Sequence, residues 1–312
     1  LGQAVFAAKT LYTINKLDEA RLNRLSQKIL SFKQEDGYIN DPLVQKEKRW
    51  KNIKDGLKLR SIKVLSDEET RRSETRQSLA ALQCLNYESN IYFPHIPQDP
   101  SSINHYIHSL NWNRPWSAGA HFSHLLFFLE NNRRCQNSKI NYEELITHAI
   151  NELDRYKDPT TGSWAKDNVS LDDHINAAMK VITGHNSTQQ HIDIDRNTLI
   201  DSCLKLINSD HACGHFNVIY VLYHCQKNND YRQNEIQDYC LKKLSDYKEH
   251  FHESFGGFSF NKNSCNDNYY SLKITEKKNE PDIHGTVLFM YGISLITKIL
   301  KLDSPQLLIP HT

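Results

Sequence analysis

EPDIHGTVLFMYGISLI, residues 280–296, is the stretch on which the reading of this chain turns. Beyond Asp282 and His284 it is apolar on nearly every face, with Gly285 and Gly292 inside it. A helix that is apolar all round is buried on both sides. A titratable pair at the mouth of such a helix fits an inner helix whose polar end opens onto a cavity. Three further segments share this character: SETRQSLAALQCL (73–85), LDDHINAAMKVI (171–182) and SDHACGHFNVIYVLYHC (209–225).

Between them run amphipathic segments with helical spacing of their apolar residues. These are LDEARLNRLSQKILSF (17–32), NYEELITHAINELDRY (141–156), NTLIDSCLKLIN (197–208) and NEIQDYCLKKLSDYKEHF (234–251). In the second, Asn141 stands as N-cap with Glu144 at capping-box spacing. Three turns of similar make-up follow amphipathic segments: Asp36-Gly37-Tyr38, Gly162-Ser163-Trp164 and Gly256-Gly257-Phe258. Glycine permits the tight turn, and the aromatic buries a large area against the helix pair. Strand-like alternation is scarce. Outer amphipathic and inner apolar helices in alternation predict an all-α chain, a single α/α toroid over residues 1–312, with polar residues gathered at the starts of the inner helices.

Composition narrows the function classes. Lys and Arg number 38 against 37 Asp and Glu, a net charge of +1, so no global field draws nucleic acid. No run approaches the ~18 apolar residues of a membrane span. The seven cysteines include no C-x-x-C, which reads as reduced thiols in a cytoplasmic protein. The first residues lack the layout of a signal peptide. A small-molecule or lipid-like substrate is the expected partner.

The turns, with TGSW and EDGY nearest, resemble the D-G-S-W core of the repeat in the terpenoid-cyclase and protein-prenyltransferase superfamily of α/α toroids. That resemblance implies an enzyme acting on an isoprenoid or its diphosphate in a central cavity. It also implies a zinc set: the family's D-x-C is similar to Asp210 and Cys213 in DHACGHF, one residue wider, and its later His is similar to His284 in DIHGT. Asp, Cys and His with one open position suit a catalytic zinc ion. The cyclase D-x-D-D lacks its first Asp in SLDDH, and D-D-x-x-D is absent.

From the residues themselves, Asp173 and His174 are acid–base candidates, and Asp282 is a partner for the imidazole beside it. In NWNRPWSAGAHFSHLLFFL (111–129), Trp112 and Trp116 flank Arg114, and His121 and His124 follow on the next helix. Aromatic walls with an Arg suit an isoprenoid chain or a sugar face. Arg72, at helical spacing from Arg76, offers a fork for phosphate or carboxylate. His211 and His215 form a rival metal-ligand spacing. Two other readings stand beside the isoprenoid enzyme: a carbohydrate-active toroid, lyase or hydrolase, and a non-catalytic helical-repeat binding module.

Overall fold

The structure is a computed structural model that describes residues 1–59, 68–135, 139–166, 169–188, 190, 193–206, 209–270, 272–302 and 306–312. The chain is mostly helical, as the periodicity predicts. The helices are α1 (Gly2–Thr13), α2 (Glu19–Leu30), α3 (Pro42–Leu59), α4 (Glu69–Cys84), α5 (Pro100–Ser109), α6 (Pro115–Arg134), α7 (Tyr142–Leu153), α8 (Leu171–Asn186), α9 (Arg196–Leu204), α10 (Ala212–Cys225), α11 (Gln233–Lys248) and α12 (Ile283–Ile299). Two small antiparallel hairpins join them: β1 (Phe251–His252) with β2 (Gly257–Phe258), and β3 (Asn268–Tyr269) with β4 (Leu272–Lys273). The end of the 197–208 segment, Ile207 and Asn208, lies outside the described residues. No helix among the described residues is long and apolar enough to cross a membrane.

The chain divides into two compact units. The first comprises residues 1–89, 249–291 and 305–311, and the second comprises 90–248 and 292–304 with Thr312.

In the first unit, two of the glycine turns are built alike. Gly37 and Gly256 have φ of 88° and 70°, a region that side chains disfavour. The residue two places on pairs back across each turn, Ile39 with Lys33 and Phe258 with Phe251. A threonine of the next apolar helix then clamps that residue. The Ile39 N–H donates to Thr75 Oγ1 at 3.1 Å, and the Thr75 hydroxyl donates to the Ile39 carbonyl at 3.2 Å. Phe258 and Thr286 repeat the pair at 3.1 and 3.3 Å. In both cases a carboxylate also accepts the N–H two residues further along: Glu74 from Asp41 (3.2 Å) and Asp282 from Phe260 (2.7 Å).

The register of the first turn differs from the sequence reading. Ile39, not Tyr38, stands where Phe258 stands in the other turn. Tyr38 is buried under the Arg71 guanidinium, 4.1 Å from its ring centre. Thr286→Val keeps the shape of the side chain and removes the clamp, leaving the Phe258 N–H without its acceptor. The expected loss is about 1–3 kcal/mol in chemical denaturation. An unchanged midpoint would show that the hydroxyl does not hold the hairpin.

In the second unit the third glycine turn, at Gly162 (φ 72°), closes Lys157 against Trp164, and Trp164 is completely buried. The Ser163 hydroxyl donates to the His174 carbonyl at 2.5 Å and so ties the turn to α8. Asn141 caps α7 as its spacing predicts, accepting the Glu144 N–H at 3.2 Å.

Helices α6, α8 and α10 run side by side and parallel. Gly119 of α6 lies against Ala177 and Lys180 of α8, and Ser123, one turn on, lies against Gly184. Asn176 of α8 meets Asn217 of α10, and Asn186 meets Tyr220. The pairs advance in the same direction along both helices. Helix α7 packs on α6, and α9 packs on α10 and α8. Three parallel helices thus lie in a row, with α7 and α9 packed on them.

Candidate functional site

The first unit holds an acid cluster at α4. The helix starts at Glu69, so Glu74 sits in its second turn rather than at its mouth, and it is 1% exposed. Glu74 Oε2 is anchored by the Asp41 N–H and by Gln45 Nε2 at 3.0 Å. Glu74 is also hydrogen-bonded to the Tyr269 side chain. Burial raises this carboxyl to about 7, against the pull of the Gln45 and Asp41 hydrogen bonds.

Two tyrosines from the β3–β4 hairpin complete the cluster. Tyr269 is held protonated by burial, and by the neighbouring Tyr270, Glu74 and Asp41. Tyr270 is raised as well, chiefly by burial, and its hydroxyl lies 2.6 Å from that of Ser73. Both tyrosines keep part of their surface open. A carboxyl that changes charge near neutrality, hydrogen-bonded to a phenol, is equipped for proton transfer.

Asp282, one place before α12, is used differently. Its Oδ1 accepts the Gly285 N–H at 2.8 Å, and its Oδ2 accepts those of Phe260 and Asn266 at 2.7 and 2.9 Å. It caps the helix and staples two loop segments. His284 is stacked on Phe6, with centroids 4.9 Å apart, and packs on Phe260 at 4.8 Å. Its Nδ1 lies 3.0 Å from Asn266 Nδ2, which donates to it and leaves the ring proton on Nε2. Arg72 is half-buried beside Glu68, at 3.9 Å.

The second unit gathers several of the other sequence candidates along one seam. Asp172, Asn176 and Lys180 follow one another at single-turn spacing and form a stripe on α8. Asn176 donates to Asp172 at 2.8 Å and accepts from Asn217 at 2.6 Å. The Lys180 ammonium stands over the ring of Trp116, 5.3 Å from its centre, and Trp116 is 48% exposed. Across the stripe stands Cys213, whose thiol burial pushes up to about 11 while Lys180 pulls it back down.

The remaining candidates are placed apart from this stripe. Trp112 is 2% exposed, stacked on Tyr156 at 4.6 Å, and donates from Nε1 to the Ile107 carbonyl. It fills the core and offers no open face, because the chain needs a large apolar filler where α5 turns into α6. Arg114 is exposed at the N-cap of α6. The His121 and His124 rings are 6.4 Å apart, and the Tyr106 hydroxyl is 3.5 Å from His121 Nδ1. His174 lies between Thr161 Oγ1 (3.1 Å) and Asp158 Oδ2 (3.5 Å). Burial holds it below its ordinary value despite Asp158 and Asp173. Asp173 accepts the Ser170 hydroxyl at 2.8 Å within the helix cap.

Of the zinc set, Asp210 and Cys213 belong to the second unit and His284 to the first. Asp210 is exposed at the edge of α10. Of the rival pair, His211 caps α10, accepting the Gly214 N–H at 3.2 Å, and His215 packs edge-on against Tyr247. Among the described residues no three His, Cys, Asp or Glu side chains are grouped to hold a metal ion.

Sequence reasoning did not single out Lys180, Asn176, Gln45, Tyr269 or Tyr270. The spacing of Asp172, Asn176 and Lys180 was the one available signal. Compared with protein-family models, curated proteins and solved structures, the chain matches none.

Proposed function

We propose that this chain is a carbohydrate-active enzyme of the α/α-toroid kind, cleaving its substrate by proton transfer, with Glu74 as the proton carrier and Tyr269 as its partner. The observation that carries this reading is buried Glu74, its carboxyl raised to about 7, hydrogen-bonded to the Tyr269 side chain. Near neutrality Glu74 is present in both forms, so it can take a proton and return one. The matched glycine turns and the parallel α6, α8 and α10 support the toroid. In an eliminative cleavage the base removes the proton next to a uronate carboxylate. The bond to the leaving oxygen then breaks, that oxygen gains a proton, and a carbon–carbon double bond remains.

A second reading, an isoprenoid-diphosphate enzyme, draws on Trp116 and Lys180 as an apolar wall beside a cation. The zinc set that this reading implies is not grouped among the described residues.

The test is turnover of acidic polysaccharides, followed by the ultraviolet absorption of the new double bond. Glu74→Gln is expected to lower the rate at least ~100-fold, the usual size of a lost acid–base group. Turnover that survives Glu74→Gln, or no turnover on any acidic polysaccharide, would sink the reading.

A further inference from the structure

We infer that the seam between α6, α8 and α10 is a binding site for a sugar ring bearing a carboxylate. Trp116 is its stacking platform, Lys180 its anion contact, and Asp172 with Asn176, held in place by buried Asn217, its hydroxyl readers. All of these residues lie in the second unit, and none is used by the Glu74 chemistry.

Trp116 presents an aromatic face at the first turn of α6, and nearly half of that side chain is open. Flat aromatic faces pack against the C–H faces of sugars, while polar groups at the rim take the hydroxyls. The rim is present. The Asp172–Asn176–Asn217 chain is joined by hydrogen bonds of 2.8 and 2.6 Å, which fix the amides in place before any ligand arrives. Asn217 is 3% exposed, so its orientation is set by packing as well. A preorganised polar wall loses little on binding, and that favours a ligand rich in hydroxyls.

Lys180 selects the charge. Long side chains on a helix lean towards its N-terminus, so Lys180, in the third turn of α8, reaches back towards Trp116 and Cys213. Gly119 makes room for this: a Cβ there would stand 3.1 Å from the Lys180 Cβ. An ammonium over the Trp116 ring draws a negative group to the platform. A carboxylate matches one ammonium. A diphosphate carries more charge than this single lysine answers, and an isoprenoid tail offers no hydroxyls to the polar wall.

This inference rests on the carbohydrate reading only for the choice of sugar, and the experiment separates the two. Calorimetric titration of the full chain would use an oligouronate, its neutral counterpart, acetate alone and an isoprenoid diphosphate. The oligouronate should bind at least tenfold tighter than the neutral sugar, and acetate should bind far more weakly than either. Trp116→Ala should weaken both sugars at least tenfold. Lys180→Gln should erase the uronate advantage and leave the neutral sugar unchanged. Circular dichroism melts would confirm that both variants fold, and Trp116, being exposed, is the safer of the two.

Absence of sugar binding, binding indifferent to Trp116→Ala, a uronate advantage that survives Lys180→Gln, or tight binding of the isoprenoid diphosphate alone would each overturn the inference. Oligouronate binding that persists in Glu74→Gln, in a chain whose turnover does not depend on Glu74, would refute the catalytic reading and leave the seam standing. Glu74-dependent turnover with binding unaffected by Trp116→Ala would do the reverse.

Discussion

Glu74→Gln is expected to raise the stability of the chain at pH 8 and leave it unchanged at pH 4. The sign follows from where the proton sits. An ordinary glutamate ionises at 4.5, whereas buried Glu74 ionises at about 7. Below 4.5 the carboxyl is neutral in the folded and unfolded chains alike, and it imposes no penalty. As pH rises from 4.5 towards 7, the unfolded chain ionises freely while the folded one holds its proton, so stability is lost across that interval. Above 7 the folded chain must bury the charge, and the loss is complete. The gap between 4.5 and about 7 corresponds to about 3 kcal/mol.

Gln is neutral at every pH, retains an acceptor for the Asp41 N–H, and escapes that loss. The groups facing Glu74 do not cancel the effect. Tyr269 and Tyr270 stay protonated throughout, the negative charge of Asp41 opposes ionisation of Glu74 further, and the Leu1 ammonium, which favours it, does not outweigh burial. Thermal unfolding of both chains from pH 4 to pH 8 is the measurement. Curves that run parallel would show that the Glu74 carboxyl is not perturbed, and the acid–base reading would lose its foundation. A substitution that stabilises the fold while abolishing turnover is the expected mark of a group kept for chemistry at a cost in stability.

The helices were legible because burial imposes a period. The segments that became α2, α7, α9 and α11 show it, and those of α4, α8, α10 and α12 are marked instead by apolar residues on nearly every face. Helix α5 was not read from the sequence, although Asp99 caps it, Pro100 opens it, and Asp99 and Ser102 exchange capping hydrogen bonds. The glycine turns were legible because only glycine adopts their backbone cheaply. The register of the first was not, since Ile39 and Tyr38 are both apolar enough to fill the buried position.

The sites were harder to see. Trp116 and Cys213 stand out by residue type, but Lys180 and Asn176 look like any solvated helix face until α6 and α10 are placed on either side. Glu74 looked like one more acid at a helix start. Its significance came from a helix that begins at Glu69, which moves Glu74 into the second turn and into the core. Tyr269 and Tyr270 sit in a short hairpin with no periodicity to announce them. Trp112 and Trp116 read alike as letters and differ only in which one the fold covers.

Gly184→Ala is expected to destabilise the chain by about 3 kcal/mol, at the upper end for overpacking a well-filled interface. Helices α6 and α8 make their closest approach here. A Cβ on residue 184 would stand 2.6 Å from the Ser123 Cα, 3.0 Å from its Oγ and 3.1 Å from its Cβ. Ser123 is completely buried. A side chain can rotate out of the way, but a Cα moves only with its helix, so α6 must shift bodily from α8. Pairing the substitution with Ser123→Gly separates the two contributions: removing Cβ and Oγ should restore only part of the loss, because the backbone contact remains. Full rescue would show that the serine side chain, rather than the helix backbone, sets the spacing. The same displacement would carry Trp116 away from Lys180, so any anionic sugar held by both should bind more weakly in Gly184→Ala. Gly119→Ala, whose added Cβ meets Lys180 and Ala177 at 3.1 and 3.2 Å, should disturb the fold less while crowding the seam directly.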